Sequence, residues 1–280
     1  MKLITWNIQW GLGADGIMDP ARIVAHAREM ADFDVLCLQE VAANFPELAG
    51  GPGHDQFALI AGLLPGYRAV AFAPLEFDDA QGRPKRFGNA LFSRLPVAQA
   101  LRHTLPWGAA ATRNMPRGLV EAVVHAGGAP VRVMTTHLEY SHPALRQAQV
   151  EAIRELHRAA CAREATPRED GPGTYVRRPG AVSAILCGDF NMRPEDLTLH
   201  RLAEPFGDGA PRFVDAWRAL NGDAPHPDSA CIVDQSFAPP HCCDYVFVTE
   251  DIAPRLRRVV YDVDTRVSDH QPVLVELDLS

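Results

Sequence analysis

The chain is punctuated by short apolar runs of strand length that break off abruptly into Asn, Glu, His or Asp. Residues 2–7 end in Trp6-Asn7 and 34–40 in Gln39-Glu40; 131–137 end in Thr135-Thr136-His137, and 184–189 in Gly188-Asp189, with Asn191 two residues on. Ser268-Asp269-His270 precedes the last run, and Asp244 opens Tyr245-Val246-Phe247-Val248. Short apolar runs bounded by turn formers read as strands covered on both faces. Asp189 and Asn191 share a face for as long as the backbone stays extended. A lone strand-end acid is ordinarily a turn former, and a lone histidine a satisfied structural residue. Six such ends in one chain point instead to a single polar site. Carboxylates, amides and imidazoles gathered there can hold a metal, a water or a phosphate oxygen.

The rest of the pattern supplies a scaffold. Asp19-Pro20 is a helix start, an acid cap followed by proline in the first turn, and the helix reaches about Ala31. Pro143 opens a longer helix to about Arg163, with Ile153, Leu156 and Ala160 as its buried stripe and Arg154, Glu155 and Arg158 on its wet side. Further strands are expected at 88–93, 119–125, 131–138, 244–248, 257–263 and 272–279, with a hairpin at Gly127-Gly128. Residues 165–180 and 221–241 are rich in Pro, Gly and charge and read as irregular connections. Strands outnumber helices, so two packed sheets with helices outside fit better than one parallel sheet. With 280 residues, 47% of them hydrophobic, the chain is expected to be a single domain over 1–280.

Charge and cysteine usage narrow the setting. The formal charge is −8, and only Lys2 and Lys85 are lysines. No basic field is present for gripping a long polyphosphate, and the arginine clusters at 83–86, 177–178 and 255–258 are short. The six cysteines (Cys37, Cys161, Cys187, Cys231, Cys242 and Cys243) show no zinc spacing and read as free thiols. His241, Cys242 and Cys243 read as pocket wall rather than metal site. With no apolar leader and no run of membrane-spanning length, a soluble cytoplasmic protein is expected, as a monomer.

The motifs, in their order along the chain, resemble the endonuclease/exonuclease/phosphatase superfamily of metal-dependent phosphoesterases. They are WN at Trp6-Asn7, LQE at 38–40, GNALFSR at 88–94, TTHL at 135–138, GDFN at 188–191, DYVFV at 244–248 and SDHQPV at 268–273. The resemblance covers nearly the whole chain. It implies a deoxyribonuclease I-like fold, a four-layered α/β sandwich of two mixed sheets flanked by helices, with the site at one end. It also implies roles. Glu40 is the principal metal ligand, with Asn7 and Asp269 nearby. Asp189 orients or deprotonates the attacking water, and Asn191 holds the phosphate or that water. His137 and His270 contact phosphoryl oxygens, one of them protonating the leaving group, and Asp244 orients a histidine. Phosphoester cleavage independently asks for such a set, because an anionic phosphate repels a nucleophile unless its charge is offset. The hard oxygen donors suit Mg²⁺ or Mn²⁺ as cofactor.

Two departures bear on the substrate. Gln9 stands where abasic-site endonucleases carry an aspartate, and His137 where they carry a tyrosine. Both lean toward the deoxyribonuclease, sphingomyelinase and deadenylase side of the resemblance. The acidic balance disfavours nucleic acid as partner, and a small or lipid-derived phosphorylated substrate is expected. Arg113 and Arg117, just before the strand at 119–125, are candidates for a bidentate clamp on a second anionic group, against the plainer reading of solvent-facing loop arginines. Tyr140 and His142 are candidates for lining the cleft. The alternatives are a nuclease of the same chemistry and a catalytically silent binding module; Glu40, Asp189 and His270, all present, speak against the latter.

Overall fold

The computed structural model describes residues 1–109, 113–167 and 169–279. Its strands are β1 (Lys2–Asn7), β2 (Val35–Ala43), β3 (Arg68–Asp78), β4 (Pro84–Ser93), β5 (Val97–Thr104), β6 (Gly118–Ala126), β7 (Ala129–His137), β8 (Ala184–Asp189), β9 (Phe213–Asp215), β10 (Asp244–Thr249), β11 (Leu256–Tyr261) and β12 (Val273–Leu277). The helices are α1 (Pro20–Met30), α2 (Gln56–Leu63), α3 (Pro143–Ala165), α4 (Leu197–Leu202) and α5 (Ala216–Asn221). Two six-stranded sheets form, in the orders β11-β12-β1-β2-β4-β3 and β5-β6-β7-β8-β10-β9. Each is mixed, with one parallel pair at its centre: β1 with β2, and β7 with β8.

Alternation along the central strands builds the layers. Leu3, Val35, Cys37 and Leu91 of the first sheet share a core with Val133, Ile185 and Cys187 of the second. Their strand neighbours Ile4, Leu36, Leu38 and Phe92 pack instead with Ile23, Val24 and Ala27 of α1 and Phe57 and Ile60 of α2. Because both faces are covered, these strands read as unbroken apolar runs. The result is the expected four-layered α/β sandwich. No helix among the described residues is long and apolar enough to cross a membrane.

Helix starts follow their local chemistry. The Asp19 carboxylate caps α1 by accepting from the Ala21 amide at 2.8 Å. The β6–β7 hairpin turns on Gly127 and Gly128, both with positive φ. Two expectations need correcting. Arg154 is not on the wet side of α3 but buried, because α4 covers that flank; its guanidinium donates to the carbonyls of Arg201, Leu202 and Glu204 and lies 4.3 Å from the Phe206 ring. Leu156 is only half-buried, and His157 and Cys161 complete the stripe with Val150, Ile153 and Ala160.

Between the sheets, at one end of the sandwich, the apolar filling gives way to a polar tie. The buried Gln39 amide donates to Thr5 Oγ1 at 3.1 Å and to Thr135 Oγ1 at 2.9 Å, linking β2 to β1 and across to β7. Each of the three residues lies one or two positions before a polar residue of those ends, Asn7, Glu40 or His137.

Candidate active site

Register brings the carboxylates and histidines together. In the second sheet Asp189 pairs with His137 on one side and with Asp244 on the other, so three neighbouring strands present them abreast. From the first sheet come Asn7 at the end of β1, Glu40 in β2, and Asp269-His270 leading into β12. Gly188 makes the close packing there feasible: with φ 137°, a Cβ at that position would lie 1.9 Å from the Thr136 carbonyl oxygen. Only glycine fits. Glu40 is turned into the site by an irregularity in the β2–β4 register between Leu38 and Val41, and its φ of 59° is left-handed, as is that of Asn191 at 52°. Asparagine tolerates this conformation; for glutamate it is strain of the kind that collects at working sites.

Asp189 is the hub. It is buried and accepts from the Asn7 amide at 2.9 Å and from the Asn191 backbone N–H at 2.8 Å. His137 Nε2 lies 3.4 Å away and His270 Nε2 3.8 Å. Asn7 also reaches Glu40 Oε1 at 3.3 Å, while its own side-chain oxygen accepts from the Gln9 amide at 3.1 Å. It therefore meets both carboxylates through its NH₂. Asn191 Nδ2 bonds His137 Nε2 at 2.9 Å and the Leu138 carbonyl at 2.9 Å.

The two histidines sit in opposite electrostatic settings. His137 Nε2 accepts from Asn191, so its proton is on Nδ1, facing Glu40 at 3.8 Å. Burial, reinforced by the charge of Arg117, pushes its pKa down to about 3. It is neutral. Burial also opposes a charge on His270, but the Asp244 carboxylate, 2.8 Å from Nδ1, overcomes it and holds His270 well above the ordinary histidine range. Ser229 Oγ in turn donates to Asp244 at 2.7 Å and accepts from the Cys243 and Asp244 amides.

Burial, with the charge of Asp269 next, pushes the Glu40 carboxyl up to about 7. Two half-buried carboxylates crowded in this way make a hard-oxygen donor set that suits Mg²⁺ or Mn²⁺. The tightest His/Cys/carboxylate group among the described residues is a different one: Asp189, Cys243 and His270 offer ligand atoms within 4.8 Å of one another. His270 there is committed to Asp244, and burial raises the Cys243 thiol well above its usual range. That leaves Glu40 and Asp269 as the carboxylates that could hold a hard cation.

The arginine candidates separate. Arg117 is buried, with charge interactions to Glu40 and Asp189, and its Nε lies 3.9 Å from the buried Glu139 carboxylate. The solvent-facing reading of Arg117 does not hold, because the loop before β6 folds its guanidinium inward against His137. Arg113 is exposed; its carbonyl accepts from Ser141 Oγ, and among the described residues its side chain makes no polar contact with the carboxylates. Tyr140 lines a cleft that Asn191 also borders. His142 instead caps α3, Nδ1 accepting from the Leu145 amide at 3.3 Å. His241 lines the same cleft as Tyr140, and Cys242 is buried near the Tyr261 hydroxyl.

Sequence reading missed several supports. Trp6 Nε1 holds the His270 carbonyl at 2.9 Å, and Ser268 Oγ holds the Asn7 carbonyl at 2.8 Å. Both lie inside motifs already noted, and their strand positions could have flagged them. Ser229 falls in an irregular stretch and carried no such signal.

A family model described as the Endonuclease/Exonuclease/phosphatase family matches residues 4–270. Among solved structures, the chain is similar to a humanized D. rerio TDP2 (18% identity, covering 99% of this chain and 98% of that one, TM-score 0.64). It is similar to the Bacteroides thetaiotaomicron mannosyl-6-phosphatase Bt3783 (18% identity, 100% of both chains, TM-score 0.65). It also resembles the human Nocturnin catalytic domain with bound sulfate (18% identity, 100% of this chain and 93% of that one, TM-score 0.65). No curated protein matches by sequence. At such identities the solved structures speak for the fold alone, while the match over residues 4–270 makes this chain a member of the endonuclease/exonuclease/phosphatase family.

Proposed function

We propose that this protein is a Mg²⁺- or Mn²⁺-dependent phosphoesterase that cleaves a P–O bond of a small phosphodiester or phosphomonoester with an activated water. The observation that carries the proposal is Asp189, buried within 3.8 Å of both histidines and hydrogen-bonded to Asn7, with Glu40 on the far side of the same amide. Residues 1–280 would act as one catalytic domain, as a monomer. The cytoplasm is the proposed setting, in keeping with six free cysteines.

Glu40 and Asp269 would hold the cation, with Asn7 fixing the Glu40 carboxylate. The bound cation would offset charge on a phosphoryl oxygen. Asp189 receives the water. Burial raises its pKa, yet the cationic His270 and the hydrogen bonds from Asn7 and the Asn191 amide hold it below the usual carboxylate value. A carboxylate so held is a weak base: it aligns the water for in-line attack and takes its proton as the new P–O bond forms and makes that water acidic. Asn191 keeps the neutral His137 oriented through Nδ2, whose two hydrogens go to His137 and the Leu138 carbonyl, and leaves its side-chain oxygen to accept from the water. His270, cationic through Asp244, donates from Nε2 to the departing oxygen, which leaves as an alcohol. Arg117 supplies positive charge behind the phosphoryl group.

The test is hydrolysis of a chromogenic phosphodiester by Asp189→Asn and His270→Ala proteins with unchanged circular dichroism. Loss of turnover in both is expected; wild-type turnover in either overturns the assignment.

A further inference from the structure

Beyond Asn191 the site opens into a cleft of about 480 Å³ that the hydrolytic residues do not use. Its size falls within the roughly 300–1,000 Å³ of small-ligand sites. One wall is a pair of aromatic rings, Tyr140 and Phe237, with centroids 5.3 Å apart and planes inclined by 44°. Both remain open to water, at 52% and 67% exposure. Leaving apolar surface uncovered forfeits about 25 cal/mol per Å². Paired exposed rings beside a reactive centre therefore mark a binding wall.

The wall is held in place before any ligand arrives. Tyr140 follows β7 by three residues, and Arg146 Nη1 donates to its carbonyl at 2.8 Å. Phe237 belongs to the irregular segment between α5 and β10, which is pinned where Ala230 bridges to His241 and to His270.

The polar lining selects the occupant. Arg146 and Asp196 offset one another at 3.6 Å. Arg193 and Glu195 are exposed on the rim, and among the described residues their side chains have no ion-pair or hydrogen-bond partner. Two guanidiniums face two carboxylates, so the cleft offers no net pull on a quaternary ammonium. An alkyl chain would leave these groups without partners as it displaced their water. A flat heterocycle suits both features, with one face against the ring wall and its edge donors and acceptors toward Arg193 and Glu195. Resting on the phosphoesterase reading above, we infer that the cleft is a nucleobase subsite and that the substrate is a mononucleotide or a small nucleotide ester. Its phosphate lies at Asn191 and its base against Tyr140 and Phe237. The formal charge of −8 fits a single nucleotide better than a polymer.

The experiment is calorimetric binding, in chelator so that no turnover occurs, of AMP, CMP, glucose 6-phosphate, phosphorylcholine and inorganic phosphate. It compares the wild type with Tyr140→Ala, Phe237→Ala and Phe237→Leu. Both nucleotides should bind the wild type at least about tenfold more tightly than the other three ligands. Each alanine variant should narrow that preference by roughly 5- to 150-fold, the range expected for one stacked base. Phe237→Leu, which keeps bulk without an aromatic face, should fall between. Glucose 6-phosphate or phosphorylcholine binding as well as AMP overturns the inference, as does a nucleotide preference that survives both alanine variants. Hydrolysis of the same esters with Mg²⁺ separates the two proposals. Turnover without nucleotide preference removes the subsite alone, and nucleotide binding without turnover of any ester removes the phosphoesterase reading alone.

Discussion

Replacing Asp244 by Asn probes the division of labour between the histidines. The His270 Nδ1–Asp244 distance is 2.8 Å. At an effective dielectric constant of about 20, a unit charge pair at that distance is worth about 6 kcal/mol, or about 4 pKa units before the opposing cost of burial. Asparagine is nearly isosteric and its side-chain oxygen can still accept from Ser229, so the ring keeps its place while the charge is removed. Its amide NH₂ falls where Asp244 Oδ1 is already buried without a partner, which costs about 1–3 kcal/mol of stability. His270, largely enclosed and without that carboxylate charge, then loses its proton at lower pH. The alkaline limb of the rate profile should move down by up to about 4 units, and kcat near neutral pH should fall by about 10²–10⁴-fold, the usual contribution of a positioned acid. The assay is kcat and kcat/KM from pH 5 to 9.5, with thermal melts to confirm folding. A folded variant within about threefold of the wild type, with its alkaline limb unmoved, would refute the assignment of His270 as the charged donor.

Other consequences follow from packing and protonation. Gly188→Ala places a Cβ 1.9 Å from the Thr136 carbonyl at a φ of 137°; urea unfolding should show a loss of at least about 3 kcal/mol, and an unchanged midpoint would contradict the geometry. His157 donates from Nε2 to the Pro211 carbonyl and accepts from Arg132 at Nδ1, so it is neutral, and burial pushes its pKa down to about 4. Its folded value lies below its unfolded one, so its contribution is complete above about pH 6.5 and is lost as pH falls toward about 4, amounting to about 3 kcal/mol. Urea titrations at pH 7.5 and 4.5 should show a loss smaller by about that amount in His157→Gln than in the wild type, with the buried His137 contributing to both; equal losses would contradict it.

The parts of this molecule legible in its sequence are those governed by local chemistry or by unbroken periodicity. Asp19-Pro20, Gly127-Gly128 and the apolar runs of β1, β2, β7, β8 and β10 each carry their structure in a few residues, and the polar ends of those runs disclose the site. β3 was hidden because it is an edge strand with Pro74 within a register irregularity between Phe72 and Leu75, which breaks the pattern a strand ordinarily shows. β5, at the edge of the other sheet, is half-exposed along its length and carries no apolar run. The inward turn of Arg117, the burial of Arg154 and the support of Ser229 beneath Asp244 all depend on segments distant in sequence. Local pattern holds no trace of them. The opposite settings of His137 and His270 likewise arise from neighbours, Arg117 and Asp244, that only the assembled sheets bring close.

In the proposed reaction Glu40 and Asp269 hold a divalent cation for phosphoester cleavage aligned by Asp189. The most direct measurement is phosphodiester hydrolysis by chelator-stripped protein, titrated with Mg²⁺ or Mn²⁺ at several pH values, for the wild type and Glu40→Gln. Because the Glu40 carboxyl is pushed up to about 7, the cation must displace a proton below that pH. Apparent metal affinity should therefore rise up to about tenfold per pH unit as pH approaches 7 and level off above it. Glu40→Gln should need far more metal and lose that pH dependence. Hydrolysis that persists in chelator, or a Glu40→Gln protein activated by the same metal concentrations with the same pH dependence, would contradict the account.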